Sequence, residues 1–125
     1  MTLSERQAKF TTLLGYLIRF AEKQGIIIKI VELNRDLERQ KKLVSEGKSA
    51  TLESLHLQNC AVDLLVLDRD FRPVDIGAVY RPLGEYWEKI GGRWGGRFGV
   101  KKEEYGHKIG WDPGHFEYKG DLENG

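Results

Sequence analysis

The run SLHLQNCAVD, residues 54–63, sets a histidine seven positions ahead of an aspartate, where an apolar stretch begins. Continued to Leu67, the segment CAVDLLVL over residues 60–67 is predicted as a buried strand. Two readings of His56 follow. It is a solvated histidine at the mouth of a hydrophobic strand, or it is the first half of a metal site. Spacing alone leaves both open. Asp63 says more, because an ionised carboxylate among Ala61, Val62, Leu64 and Leu65 is costly to bury unless it is paired or bound to a metal. Strand side chains alternate, so the alternative is that Asp63 points to solvent.

Upstream, Ser4 followed by Gln7 reads as a capping box. Phe10, Leu13, Leu14, Leu17, Phe20 and Ala21 recur at helical spacing until Gly25 stops the helix. IIIKIVEL, residues 26–33, is β-branched and predicts a buried strand. Asp36 opens a second helix through DLERQKKLVSEG to Gly47, and the polar loop KSATLE leads back to the opening motif. Downstream come a turn at DRDFRP, a short strand within residues 73–79, and a third helix starting at Pro82. GRWGGRFG is too rich in glycine for regular structure, HFEYK predicts a final strand, and the tail GDLENG is expected to be flexible. Few strands and no βαβ regularity predict an α+β fold, a small antiparallel sheet flanked by helices.

Bulk properties narrow the function. The chain has 125 residues and reads as one domain over 1–125, with a core of about 3–118. A net charge of +1 supplies no large positive field, so no nucleic-acid partner is expected. No apolar run is long enough to span a bilayer, so no membrane insertion is expected. MTLSERQAKFTTLL lacks a basic start followed by an apolar stretch, which predicts cytoplasmic synthesis without a secretory signal. The lone Cys60 excludes an internal disulfide framework and a cysteine-only zinc cluster. Any metal is then held mainly by histidine and carboxylate.

His56, Asp63 and His115 together make two imidazoles and a carboxylate, a common set for catalytic zinc with a fourth position left for water. Asp112 precedes His115 by three residues in DPGHFE and can reach across the Pro113–Gly114 turn as a general base, with Glu117 the next carboxylate in line.

These segments carry a resemblance. SLHLQNCAVDL, then RPLGEYWEKIGGRWGGRFG, then DPGHFE resemble the zinc peptidases of the hedgehog/D-Ala-D-Ala peptidase fold that cut bacterial cell-wall peptides. That family includes D-Ala-D-Ala carboxypeptidases and phage L-alanyl-D-glutamate endopeptidases. Ser54, His56, Ala61 and Asp63 fall on its S-x-H-x-x-G-x-A-x-D pattern, Trp94, Gly95 and Gly96 on W-G-G, and Asp112, His115 and Phe116 on D/E-x-x-H-F. NRDLERQ resembles its Y-R-T-x-x-x-Q segment, aligning Arg35 and Gln40. The similarity covers about residues 3–118. Asn59 stands where the family has glycine, and asparagine tolerates unusual backbone angles better than most residues.

The resemblance implies that His56, Asp63 and His115 bind zinc, that Asp112 is the base, and that Arg35 polarises the scissile carbonyl. Ser54 and Gln40 are read as substrate contacts, and Trp94 and Trp111, which flank the glycine-rich region, as walls of the substrate groove. The implied substrate is a peptidoglycan stem peptide, cut by an L-alanyl-D-glutamate endopeptidase of phage or prophage lysis type that acts on the wall after release, as a monomer. Two alternatives stand beside it: a D-Ala-D-Ala carboxypeptidase of the same family, and a non-enzymatic metal- or partner-binding domain of the same fold. A retained Asp112 argues against the last. His107 is read as a solvated loop residue, Cys60 as a packing residue, and Tyr86 and Trp87 as core. The segment over residues 101–111 is long for the family and is expected to shape substrate access.

Overall fold

Thr2 opens the first helix. Its hydroxyl accepts from the Glu5 amide, while the Glu5 carboxylate accepts from the Thr2 amide, closing a capping box. Helix α1 then runs Leu3–Gln24 and ends at Gly25 in the left-handed conformation, φ 70°. The cap is therefore Thr2 rather than the expected Ser4. Both positions satisfy the S/T-x-x-E/Q spacing, and the helix buries Arg6 on one face with Phe10, Leu13, Leu14, Leu17 and Ala21.

The computed structural model describes residues 1–33, 42, 44–47 and 60–120. Most of the predicted second helix, the 48–53 loop and the 121–125 tail lie outside them, as do Arg35, Gln40, Ser54 and His56. Strands β1 (Ile27–Glu32), β2 (Ala61–Leu67), β3 (Arg93–Trp94) and β4 (His115–Glu117) form one antiparallel sheet in the order β1-β2-β4-β3. Helix α2 covers Arg81–Lys89, with Pro82 in its first turn, where a missing N–H costs nothing. No helix among the described residues is long and apolar enough to cross a membrane.

Alternation sorts the sheet into two faces. Val62, Leu64 and Val66 of β2, Trp94 of β3 and Phe116 of β4 point to the side covered by α1 and α2. There they meet Phe10, Leu13, Leu17, Leu83 and Trp87. Trp87 sits edge-on to both Phe10 and Phe116, with ring centroids 6.1 Å apart in each case. Each such side chain contributes about 1.5–3 kcal/mol when fully buried, so this face anchors the sheet. Asp63, His115 and Glu117 stand on the opposite face by the same alternation.

Three expectations need correction. The strand predicted within residues 73–79 is a single bridge between Leu67 and Pro73, followed by a 3₁₀ turn at Gly77–Tyr80. Proline has no amide to extend a ladder. The glycine-rich segment does hold regular structure, since Arg93 and Trp94 pair with Glu117 and Phe116 as β3. Strand β1 is an edge strand and is not buried throughout, for Ile30 and Val31 are about half exposed. Its register with β2 shifts between Ile30 and Glu32, a bulge that sets Glu32 opposite Asp63.

Candidate metal centre

Register brings the site together. β2 and β4 pair so that Asp63 lies directly opposite His115. Side chains opposed this way are neighbours on one face. Asp63 Oδ1 comes within 3.0 Å of His115 Nδ1, and Asp112 Oδ2 lies 4.0 Å from the same nitrogen. One ligand atom from each of Asp63, Asp112 and His115 falls within 4.8 Å of the others. The imidazole is buried, Asp63 is half-buried, and Asp112 is the most open of the three.

The turn that carries Asp112 is held by its own carbonyls. The Asp112 carbonyl accepts from the His115 amide at 3.1 Å, and the Gly114 carbonyl accepts from the Leu64 amide at 2.8 Å. The Pro113 carbonyl accepts from Trp94 Nε1 at 2.7 Å. Gly95 lies against this turn from the other side. A Cβ there would run into the Asp112 carbonyl oxygen and come within 2.9 Å of the His115 Cβ. The W-G-G segment is thus a buttress for the D-x-x-H turn, with Trp94 as its pillar. Trp94, expected as a groove wall, is fully buried in this role and offers no surface to a ligand. Trp111 is 72% exposed beside Asp112, its ring 5.3 Å from Phe98, which in turn lies 5.7 Å from the imidazole of His115.

Behind the imidazole, Nε2 is 2.6 Å from Glu117 Oε1. Burial draws the His115 pKa down, but the hydrogen bonds and charges of Asp63 and Glu117 outweigh it and raise the value from 6.5 to about 9. Glu117 is placed at the ring edge away from Asp63 and Asp112, so it is no substitute base at the open side. Glu117, Phe98 and Arg93 were not legible as neighbours of His115 from motif spacing. The signal for Glu117 was the two-residue period of the strand HFE, which puts it on the face of His115.

The donor set fits a metal. Asp63 supplies a carboxylate oxygen and His115 an imidazole nitrogen, ligands that zinc accepts, with the Asp112 carboxylate beside them at the half-open surface. Like charges this close are relieved by a cation among them. The other singled-out residues lie elsewhere. His107 is exposed in the 101–111 segment. Cys60 is fully buried, and burial raises its thiol pKa despite the nearby charge of Arg6, so it is poorly disposed to act as a nucleophile. The 101–111 segment is tied down at the Tyr105 carbonyl, which accepts from Arg81 at 2.8 Å and from Arg97 at 3.0 Å. Arg97 is itself bidentate to Glu88.

No protein-family model and no curated protein sequence matches the chain. Solved structures do. The L-Ala D-Glu endopeptidase ChiX of Serratia marcescens is similar at 24% identity and TM-score 0.63, over 82% of this chain and 74% of that one. A mutant of the vancomycin-resistance D,D-pentapeptidase VanY in complex with Zn(II) is similar at 22% identity and TM-score 0.60, over 88% and 70% of the two chains. The LD-carboxypeptidase LdcB is similar at 21% identity and TM-score 0.55, over 87% of this chain and 56% of that one. The chain therefore has the α+β fold that these peptidases share.

Proposed function

We propose that this chain is a zinc-dependent peptidase that cleaves peptidoglycan stem peptides, with the L-alanyl-D-glutamate bond as its target. The observation that carries the reading is the convergence of Asp63, Asp112 and His115 on one face of a sheet whose fold is shared with an L-Ala D-Glu endopeptidase and with a zinc-bound D,D-pentapeptidase. Asp63 and His115 hold the cation, joined by His56 on the strength of its place in S-x-H. Bound there, zinc would act as a Lewis acid on the scissile carbonyl and make water more acidic.

The chain's own groups do the rest. Asp112 is the more exposed carboxylate, and the fixed 112–115 turn aims it at the site. It takes a proton from the attacking water and delivers it to the departing amine, so the cut leaves one new carboxylate and one new amine. Arg35 presents planar donors to the carbonyl oxygen as negative charge gathers there. Exposed Trp111, beside Asp112, forms one flank of the substrate path, and Ser54 and Gln40 contact the bound peptide. A phage or prophage lysis role, with release to the wall after cytoplasmic synthesis, rests on the resemblance of the three motifs to phage enzymes.

The test is digestion of purified peptidoglycan by zinc-loaded protein, with the products read by mass spectrometry. New amino-terminal D-glutamate confirms the endopeptidase. Released D-alanine shows the carboxypeptidase alternative. Intact wall with zinc bound leaves the binding-domain alternative and overturns the peptidase.

A further inference from the structure

Glu117 is a buried carboxylate that hydrolysis does not use. Its residue is 7% exposed, and an ionised group so placed is costly unless its oxygens are met. Both are. Oε1 lies 2.6 Å from His115 Nε2, and Oε2 lies 3.5 Å from the Arg93 guanidinium. Its backbone is fixed as well, because β4 is flanked by β2 and β3 and the Glu117 carbonyl accepts from Trp87 Nε1 at 2.9 Å.

We propose that Glu117 is a positioning residue, whose carboxylate engages His115 Nε2 and thereby presents Nδ1, the nitrogen facing Asp63 and Asp112, to the cation. The inference rests on the metal site proposed above and adds to it the group that decides which imidazole nitrogen is offered. The two nitrogens lie on opposite edges of the ring. A half-turn of the ring about Cβ–Cγ would put Cδ2 where Nδ1 stands and Cε1 where Nε2 stands, breaking the contacts with Asp63 and Glu117 together. Phe98 packs against the imidazole at 5.7 Å, and Arg93 lies over Phe98 at 5.0 Å while reaching Glu117. Arg93, Phe98 and Glu117 thus form one bracket around the ring. A metal-bound histidine generally donates its other N–H to such a partner, and loss of the partner typically weakens metal binding by roughly 10–100-fold.

The experiment measures zinc affinity of the full chain by competition with a chelator, at one pH, without substrate. Glu117→Ala should weaken zinc by about 10–100-fold. Glu117→Gln keeps an oxygen that can accept from Nε2 and should recover most of that loss, which a merely structural carboxylate would not require. Thermal melts of the metal-free variants identify any that fail to fold. A second readout needs no variant: in zinc-loaded wild-type protein with 15N-labelled histidine, Nδ1 of His115 should carry the metal shift and Nε2 a proton. Zinc on Nε2, or wild-type affinity in a folded Glu117→Ala protein, would overturn the proposal. Neither readout involves hydrolysis, so an inert wall assay overturns the peptidase reading alone.

Discussion

Asp63 and His115 face each other across neighbouring antiparallel strands, Oδ1 to Nδ1 at 3.0 Å, although 52 residues separate them in the chain. The strand register sets this meeting, and loop geometry plays no part in it. A one-residue slip of β4 would turn His115 into the core and Phe116 out of it. Burial of Phe116 against Trp87 therefore protects the placement of the two proposed ligands.

The first prediction is compositional. The protein should bind about one zinc per chain, since the described residues hold a single set of converging donors. Asp63→Ala and His115→Ala should each lose tight binding, as should His56→Ala. His107→Ala should not, because that imidazole is exposed in the 101–111 segment. Metal content after gel filtration decides the matter, and stoichiometric zinc in His115→Ala would remove this residue from the ligand set.

Acidity supplies the second. In the metal-free protein the pKa of His115 stands at about 9, above its ordinary 6.5. A raised value means that the protonated ring stabilises the fold fully below pH 6.5, and that this contribution fades as the pH climbs through 9. Melting temperature of the metal-free protein should fall across that window, and His115→Gln should flatten the decline. Zinc displaces the Nδ1 proton, so binding should release a proton and tighten as the pH rises. Calorimetry in buffers of different ionisation enthalpy measures the proton directly.

Asp63 and Asp112 are both carboxylates, and the third prediction separates them. Asp112→Asn keeps size and polarity but cannot accept a proton. It should fold and retain zinc, while wall-peptide cleavage falls by on the order of a hundredfold or more. The loss should appear in kcat with KM little changed, because the base acts in the transition state. Comparable turnover in this variant would assign the proton transfer to another group.

Gly95→Ala probes the buttress. The new methyl would press on the Asp112 carbonyl and on the Cβ of His115. We expect a loss of about 1–3 kcal/mol in stability, typical of overpacking, together with weaker zinc binding as the turn shifts. Gly106→Ala, where nothing lies within 4 Å of the added carbon, serves as the control and should match wild type in both measurements.

Much of this arrangement was legible in the residues themselves, wherever the determinant is local. The apolar spacing of α1, the stop at Gly25, the run of β2 and the proline at the head of α2 are all short-range signals. Asp63 was conspicuous because a carboxylate interrupts an apolar strand. What escaped depends on pairing between distant segments. Arg93 and Trp94 make a strand only because β4 lies beside them, and nothing in GRWGGRFG announces it. The exposure of Ile30 and Val31 follows from the place of β1 at the sheet edge, which an apolar run cannot declare. The contact of Glu117 with His115 needed the face as well as the sequence position. Thr2 and Ser4 both fit the capping pattern, and only the reciprocal hydrogen bonds of Thr2 and Glu5 decide between them.

The order β1-β2-β4-β3 has a consequence for the history of the molecule. β4 is inserted between two strands that both precede it in the chain, so the sheet cannot be completed until that three-residue strand has arrived. Pairings of such long range are slow to form, because the loop must close before any contact rewards it. Until then Asp63 has no imidazole opposite it, and an unfinished chain cannot sequester zinc through this pair. Capture of an ion at the proposed site would thus report that the last strand has docked, and bound metal would hold it there against fraying.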